Sequence, residues 1–152
     1  MRLRRLTWVF ERDPIYFVTA CTRERAQTLD NARVHAGVEE FSEMGPDRGA
    51  WLGAYVLMPD HLHAFVALDG RETSLSVWMK ALKNAISKTL RTDGIASPHW
   101  QKGFFDHVLR SAESHAQKWD YVRENPVRAG LVRRWEDWPY RGEPHRLEVR
   151  KL

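Results

Sequence analysis

Two histidines one residue apart, His61 and His63, lie in the apolar run from Gly53 to Leu68. On an extended strand successive side chains alternate faces, so both imidazoles point one way while Leu62 points into the core. Two neutral imidazoles on one face can grip a divalent cation. The same pattern suits two core histidines satisfied by hydrogen bonds, and an H-x-H pair alone does not choose between these. A second group lies sixty residues on, at Tyr121 and Asn125. Ser114 to Asn125 reads as a helix stopped by Pro126. Ala112, Ala116, Trp119 and Val122 form its buried stripe, and Gln117, Tyr121 and Asn125 form another at i, i+4, i+8. That spacing sets Tyr121 beside Asn125, one turn apart on one helix. A tyrosine off the buried stripe is either a reactive phenol or an ordinary partly exposed ring.

The surrounding elements have to position these groups. Ile15 to Thr22, rich in β-branched and aromatic residues, reads as a first strand. Ala32 to Met44 follows as a helix ended by Gly45-Pro46. Trp51 to Met58 and His61 to Leu68 form a hairpin about Pro59-Asp60, so the two histidines open its second strand. Thr73 or Ser74 caps a long helix with Leu75, Trp78, Met79, Leu82, Ile86 and Leu90 on its apolar face. Phe104 to Leu109 is a fourth strand, with Asp106 and His107 read as structural polar residues. Strand, helix, strand, strand, helix, strand is the order of an α+β, ferredoxin-like split βαβ sandwich, an antiparallel sheet with helices on one face. One domain over residues 1–152 is expected, with a basic aromatic tail from about residue 133.

Four segments in order, Ile15 to Thr22, Met58 to His63, Trp100 to Arg110 and Tyr121 to Val132, resemble the REP-associated tyrosine transposases, relatives of the IS200-type transposases within the single-tyrosine HUH endonucleases. The resemblance implies that His61 and His63 bind Mg²⁺ or Mn²⁺, that Asn125 is the third ligand, and that Tyr121 is the nucleophile. It implies cleavage and rejoining of single-stranded or hairpin DNA at repeated extragenic palindromes through a covalent 5′-phosphotyrosine. A phenol with an ordinary pKa of about 10 needs a nearby cation or base to react. Asp60, one residue before His61, is expected to face away and take no part. A relaxase or rolling-circle nickase is an alternative within the same chemistry. A catalytically silent nucleic-acid-binding domain is the alternative outside it, and the intact His61, His63, Tyr121 and Asn125 argue against silence.

The 152 residues carry 24 Lys and Arg against 20 Asp and Glu, a net charge of +4 that suits a polyanionic partner without requiring one. Lys80, Lys83 and Lys88 leave the apolar face of the long helix and are candidate DNA contacts or a solvated surface. In the tail, Trp135, Trp138 and Arg141 either stack bases and hold phosphates or pack across the sheet. The single cysteine, Cys21, excludes an intramolecular disulfide and a cysteine-rich zinc site. Basic Met1 to Arg12 lacks the apolar core of a secretory signal, and no run approaches the roughly 18 apolar residues of a membrane span. A cytoplasmic, nucleoid-associated protein is expected, working as a monomer or a homodimer, with the monomer favoured.

Overall fold

β1 (Ile15–Cys21), α1 (Ala32–Glu43), β2 (Ala50–Leu57), β3 (His61–Leu68), α2 (Leu75–Thr92) and β4 (Phe105–Leu109) follow in the order expected of the split βαβ sandwich. After them come α3 (Ala112–Val122), the one-turn α4 (Asn125–Arg128) and β5 (Arg141–Gly142). The computed structural model describes residues 14–149, so the reading of Met1 to Arg12 as a failed signal sequence lies outside the described residues. The sheet order is β4-β1-β3-β2-β5, and every neighbouring pair is antiparallel.

Strand alternation divides β3 between two cores. Leu62, Ala64, Val66 and Leu68 pack against Val34 and Val38 of α1 and Met79, Leu82 and Ile86 of α2. Phe65 and Ala67 face the other way, with Leu109 and Leu147. α3 covers this second face, where His115 and Trp119 meet the Phe65 ring edge-on at 4.9 and 6.3 Å between centroids. The pairing helices α1 and α2 thus occupy one face, and α3 crosses to the other. His61 and His63 share parity with Phe65, so they lie on the α3 side.

Each helix starts where a side chain satisfies a free amide. Asn31 Oδ1 accepts from Val34 N at 3.0 Å, and Ser74 Oγ accepts from Val77 N at 3.2 Å. α3 starts at Ala112, the first residue of its apolar stripe and two before the expected start at Ser114, because Ser111 and Ser114 form a reciprocal capping box that makes Ser114 the third helical residue. It also ends three residues early, at Val122. Pro126 has no N–H to continue the ladder but fits the first turn of a new helix, so the break moves up to residues 123–124 and α4 begins with Asn125.

The tail from residue 133 packs along the edge of β2. Leu57 N donates to Tyr140 O at 2.8 Å, Trp138 Nε1 donates to Leu57 O at 3.0 Å, and His145 N donates to Leu52 O at 3.0 Å. Trp138 and Leu147 are buried there.

Candidate active site

Both histidines are pinned through the same ring nitrogen. His61 Nδ1 lies 2.8 Å from Asp60 Oδ1, and His63 Nδ1 lies 2.8 Å from Thr19 Oγ1, its register partner on β1. An ionised carboxylate can only accept, so His61 donates through Nδ1, and in the neutral ring Nε2 carries the lone pair. The same tautomer at His63 requires Thr19 Oγ1 to accept. The rings meet edge-on with centroids 4.8 Å apart, and Phe17 stacks on His63 at 5.3 Å. Burial, reinforced by the charges of His61, Lys118 and Arg128, lowers the His63 pKa to about 3 and keeps this imidazole neutral. Neutral, oriented rings are what a metal ligand requires.

The sequence reading set Asp60 aside, and the structure corrects it. Strand alternation does not govern Asp60, because it sits in the hairpin turn before β3 begins. Its carboxylate takes one hydrogen bond from His61 and one from Arg25 Nε at 2.8 Å. Burial alone would raise its pKa, but the bonds from Arg25 and His61 prevail and hold it below the usual range. Arg25 reaches this position from a left-handed backbone, with φ of 54° at Glu24 and 55° at Arg25. Two consecutive non-glycine residues there cost of order 1–3 kcal/mol each and persist only where surrounding contacts over-determine them.

Tyr121 is the most exposed of the four tyrosines, at 64%, whereas Tyr55 is buried and Tyr16 and Tyr140 are partly so. Because the helix breaks after Val122, Tyr121 and Asn125 do not share one regular helix as their spacing suggests. Arg128 ties them together instead. Its guanidinium lies 3.9 Å from the Tyr121 ring centroid, and its Nη2 donates to Tyr121 O at 2.6 Å and also to Asn125 Oδ1. An amide oxygen has two lone pairs, so Asn125 keeps one available. The positive charge of Arg128 is also the smallest of the causes that lower the His63 pKa.

The chemistry of the donors can be set against the metal expectation. Two imidazoles offer Nε2, and Asn125 offers the remaining lone pair of its amide oxygen. No group of three or more His, Cys, Asp or Glu side chains is gathered for a metal among the described residues. That donor set suits a hard cation that keeps water and takes substrate phosphate oxygens as further ligands.

The DNA-contact candidates fare unequally. Trp138 is buried at 6% exposure with its indole N–H bonded to Leu57, so it packs the core and offers no face to a base. The Trp135 ring is approached by the guanidinium groups of Arg123 and Arg141, at 4.8 and 4.9 Å from its centroid, and Arg141 also donates to Glu136 O at 2.9 Å. Trp135 therefore stacks on arginines in this structure. Lys83 Nζ donates to Gln101 O at 3.3 Å and Gly103 O at 2.5 Å, fastening a loop, and burial lowers its pKa. Lys80 and Lys88 are exposed on α2, across the sheet from the histidines.

Sequence reasoning missed Thr19, Arg25 and Arg128. Thr19 depends on strand register, and Arg25 on an irregular turn, neither of which a local pattern reveals. Arg128 had a signal, since it stands three residues after Asn125 and i, i+3 neighbours meet on a helix.

The sequence model of the family described as "Transposase IS200 like" matches residues 13–125. The chain is 25% identical over 125 residues to the REP-associated tyrosine transposase of Escherichia coli K12, covering 82% of this chain and 73% of that one. A solved structure of a REP-associated tyrosine transposase bound to a REP hairpin superposes with a TM-score of 0.68 at 26% identity, covering 85% of this chain and 76% of that one. A second solved structure, from Deinococcus radiodurans, shares the fold with a TM-score of 0.51 at 20% identity, covering 72% of this chain and 88% of that one.

Proposed function

The chain belongs to the IS200-like transposase family, and from that premise we propose that it cleaves and rejoins single-stranded or hairpin DNA, of the REP type, with Tyr121 as nucleophile. The observation that supports the reading is two Nδ1-pinned imidazoles on β3 together with an exposed tyrosine whose ring carries the Arg128 guanidinium. In the cleavage step the Tyr121 phenol oxygen forms a bond to phosphorus and loses its proton. The bond from phosphorus to the 3′ oxygen breaks, and that oxygen is protonated. A 5′-phosphotyrosine and a free 3′-OH result, and the ester conserves the bond energy so that a 3′-OH can later reverse the step.

His61, His63 and Asn125 would hold Mg²⁺ or Mn²⁺, which would polarise the scissile phosphate and offset its developing charge. Asp60 and Thr19 keep the two Nε2 atoms directed to the site, Arg25 holds Asp60, and Arg128 supplies positive charge next to the phenol. Transposition and recombination within a bacterial cytoplasm would follow from this activity.

Covalent trapping tests the proposal. Incubation with a hairpin oligonucleotide bearing single-stranded flanks should yield a denaturant-stable protein–DNA adduct whose proteolytic peptide contains Tyr121. Tight binding with no adduct at any divalent cation concentration would favour the silent DNA-binding alternative.

A further inference from the structure

Five residues in register cross the whole sheet: Phe105 on β4, Thr19 on β1, His63 on β3, Val56 on β2 and Arg141 on β5. Register partners share a face. Leu109, of the same parity as Phe105 on β4, packs with Ile15 and Phe65 and fixes that face as the one bearing His61 and His63. At one end of the row Arg141 is engaged by Trp135 and Glu136. At the other, the Phe105 ring is 72% exposed, more than any other large apolar side chain among the described residues. Adjacent strands lie about 4.8 Å apart, so Phe105 stands roughly 10 Å from His63 along the row. That is the reach of one or two nucleotides.

A single strand needs cations for its phosphates and apolar faces for its bases. The cations lie on this face: Lys118 Nζ is 5.1 Å from the Phe17 ring, whose register partner on β4 is His107, and Arg128 lies over Tyr121. With Trp138 buried and Trp135 covered by arginines, Phe105 and the nucleophile Tyr121 are the aromatic members of the exposed large side chains. We propose that Phe105 is a stacking platform for a base one or two nucleotides from the scissile phosphate, and so helps to place that phosphate at the histidine pair. This rests on the reading that the site cleaves single-stranded DNA.

The probe is a hairpin oligonucleotide with single-stranded flanks, built from inverted repeats beside the gene and carrying 2-aminopurine singly at each position around the cleavage junction mapped by Tyr121 trapping. Wild-type protein should quench emission at one or two flank positions. Phe105→Ala should lose that quenching and weaken binding about 5- to 100-fold, with the loss appearing in KM more than in kcat, and Phe105→Trp should restore both. Unchanged quenching and affinity in Phe105→Ala, with the Tyr121 adduct still forming in wild type, would overturn the stacking role and leave strand cleavage standing. A change in sedimentation with no change in DNA binding would make the β4 edge a contact between copies and overturn it too. Failure of wild type to bind or form an adduct would remove both.

Discussion

The two halves of the site are held by different kinds of structure. His61 and His63 sit on β3, the central strand of five, with hydrogen bonds fixing each ring. Tyr121 ends a surface helix at 64% exposure, and Asn125 lies beyond a break in that helix. A strand in mid-sheet cannot shift without disturbing two neighbours, whereas the tyrosine segment is held by buried Val122 and Pro126 on one side and by the Arg128 guanidinium over its exposed ring. On the proposed function, the contrast would separate a fixed acceptor for the phosphate from an exposed nucleophile.

The most complete break is expected from Tyr121→Phe, which should abolish adduct formation while leaving the melting temperature close to wild type, since an exposed ring loses only its hydroxyl. Residual adduct would move the nucleophile to Tyr16, Tyr55 or Tyr140. On the rigid side, His61→Ala or His63→Ala should also remove cleavage, and excess EDTA should do the same to wild type. Full turnover in EDTA would refute the metal reading.

Arg128→Ala tests the tyrosine side. Cleavage should fall about 10- to 100-fold, because a displacement of about 1 Å in a reacting group costs up to about that much. Metal affinity measured by calorimetry should change less than in Thr19→Val, where loss of the Nδ1 partner costs roughly 10- to 100-fold. Equal effects of the two variants on both readouts would erase the distinction between the halves.

How far the sequence reveals the site follows the same division. The histidine pair, its strand and its facing were readable because alternation is local and strict. The fold class followed from element order, and Ser74 was among the foreseen caps, whereas β5 at the sheet edge had no signal. The tyrosine segment was read less well. Its helix was placed three residues too far, because the preference of Pro126 for the first turn of a new helix competes with the periodicity that leads to Asn125. Asp60 was dismissed by a strand rule applied to a turn residue. Trp138 shows a further limit, since an aromatic among arginines looks like a base-stacking residue until its burial against Leu57 is visible.

Two smaller effects sharpen the picture. Burial places the His63 pKa at about 3, and burial lowers those of His115 and His145. Below an unfolded-state value of about 6.5, the unfolded chain binds protons that the folded protein refuses. Metal-free protein should therefore lose stability as pH falls from 6.5 toward 3, by at most about 1.4 kcal/mol per pH unit from His63. Denaturant unfolding in EDTA at several pH values checks this, and a flat profile would show that His63 is solvated. In the tail, Trp138→Ala should cost about 3–5 kcal/mol of stability, and Trp135→Ala, whose contacts are cation–π pairs worth about 0.5–1 kcal/mol each at exposed sites, distinctly less. The reverse order would restore a base-stacking role to Trp138.

The tail that follows residue 133 also closes off one edge of the sheet. By hydrogen-bonding along β2 through Tyr140, Trp138 and the two residues of β5, it occupies the N–H and C=O groups that a bare sheet edge would offer to any passing strand. Those residues lie beyond the span that matches the family, which ends at residue 125. A chain cut back to the matched span would bare this edge of β2 as a template for strand pairing, so protection of the edge falls to a segment outside the residues that the family model matches.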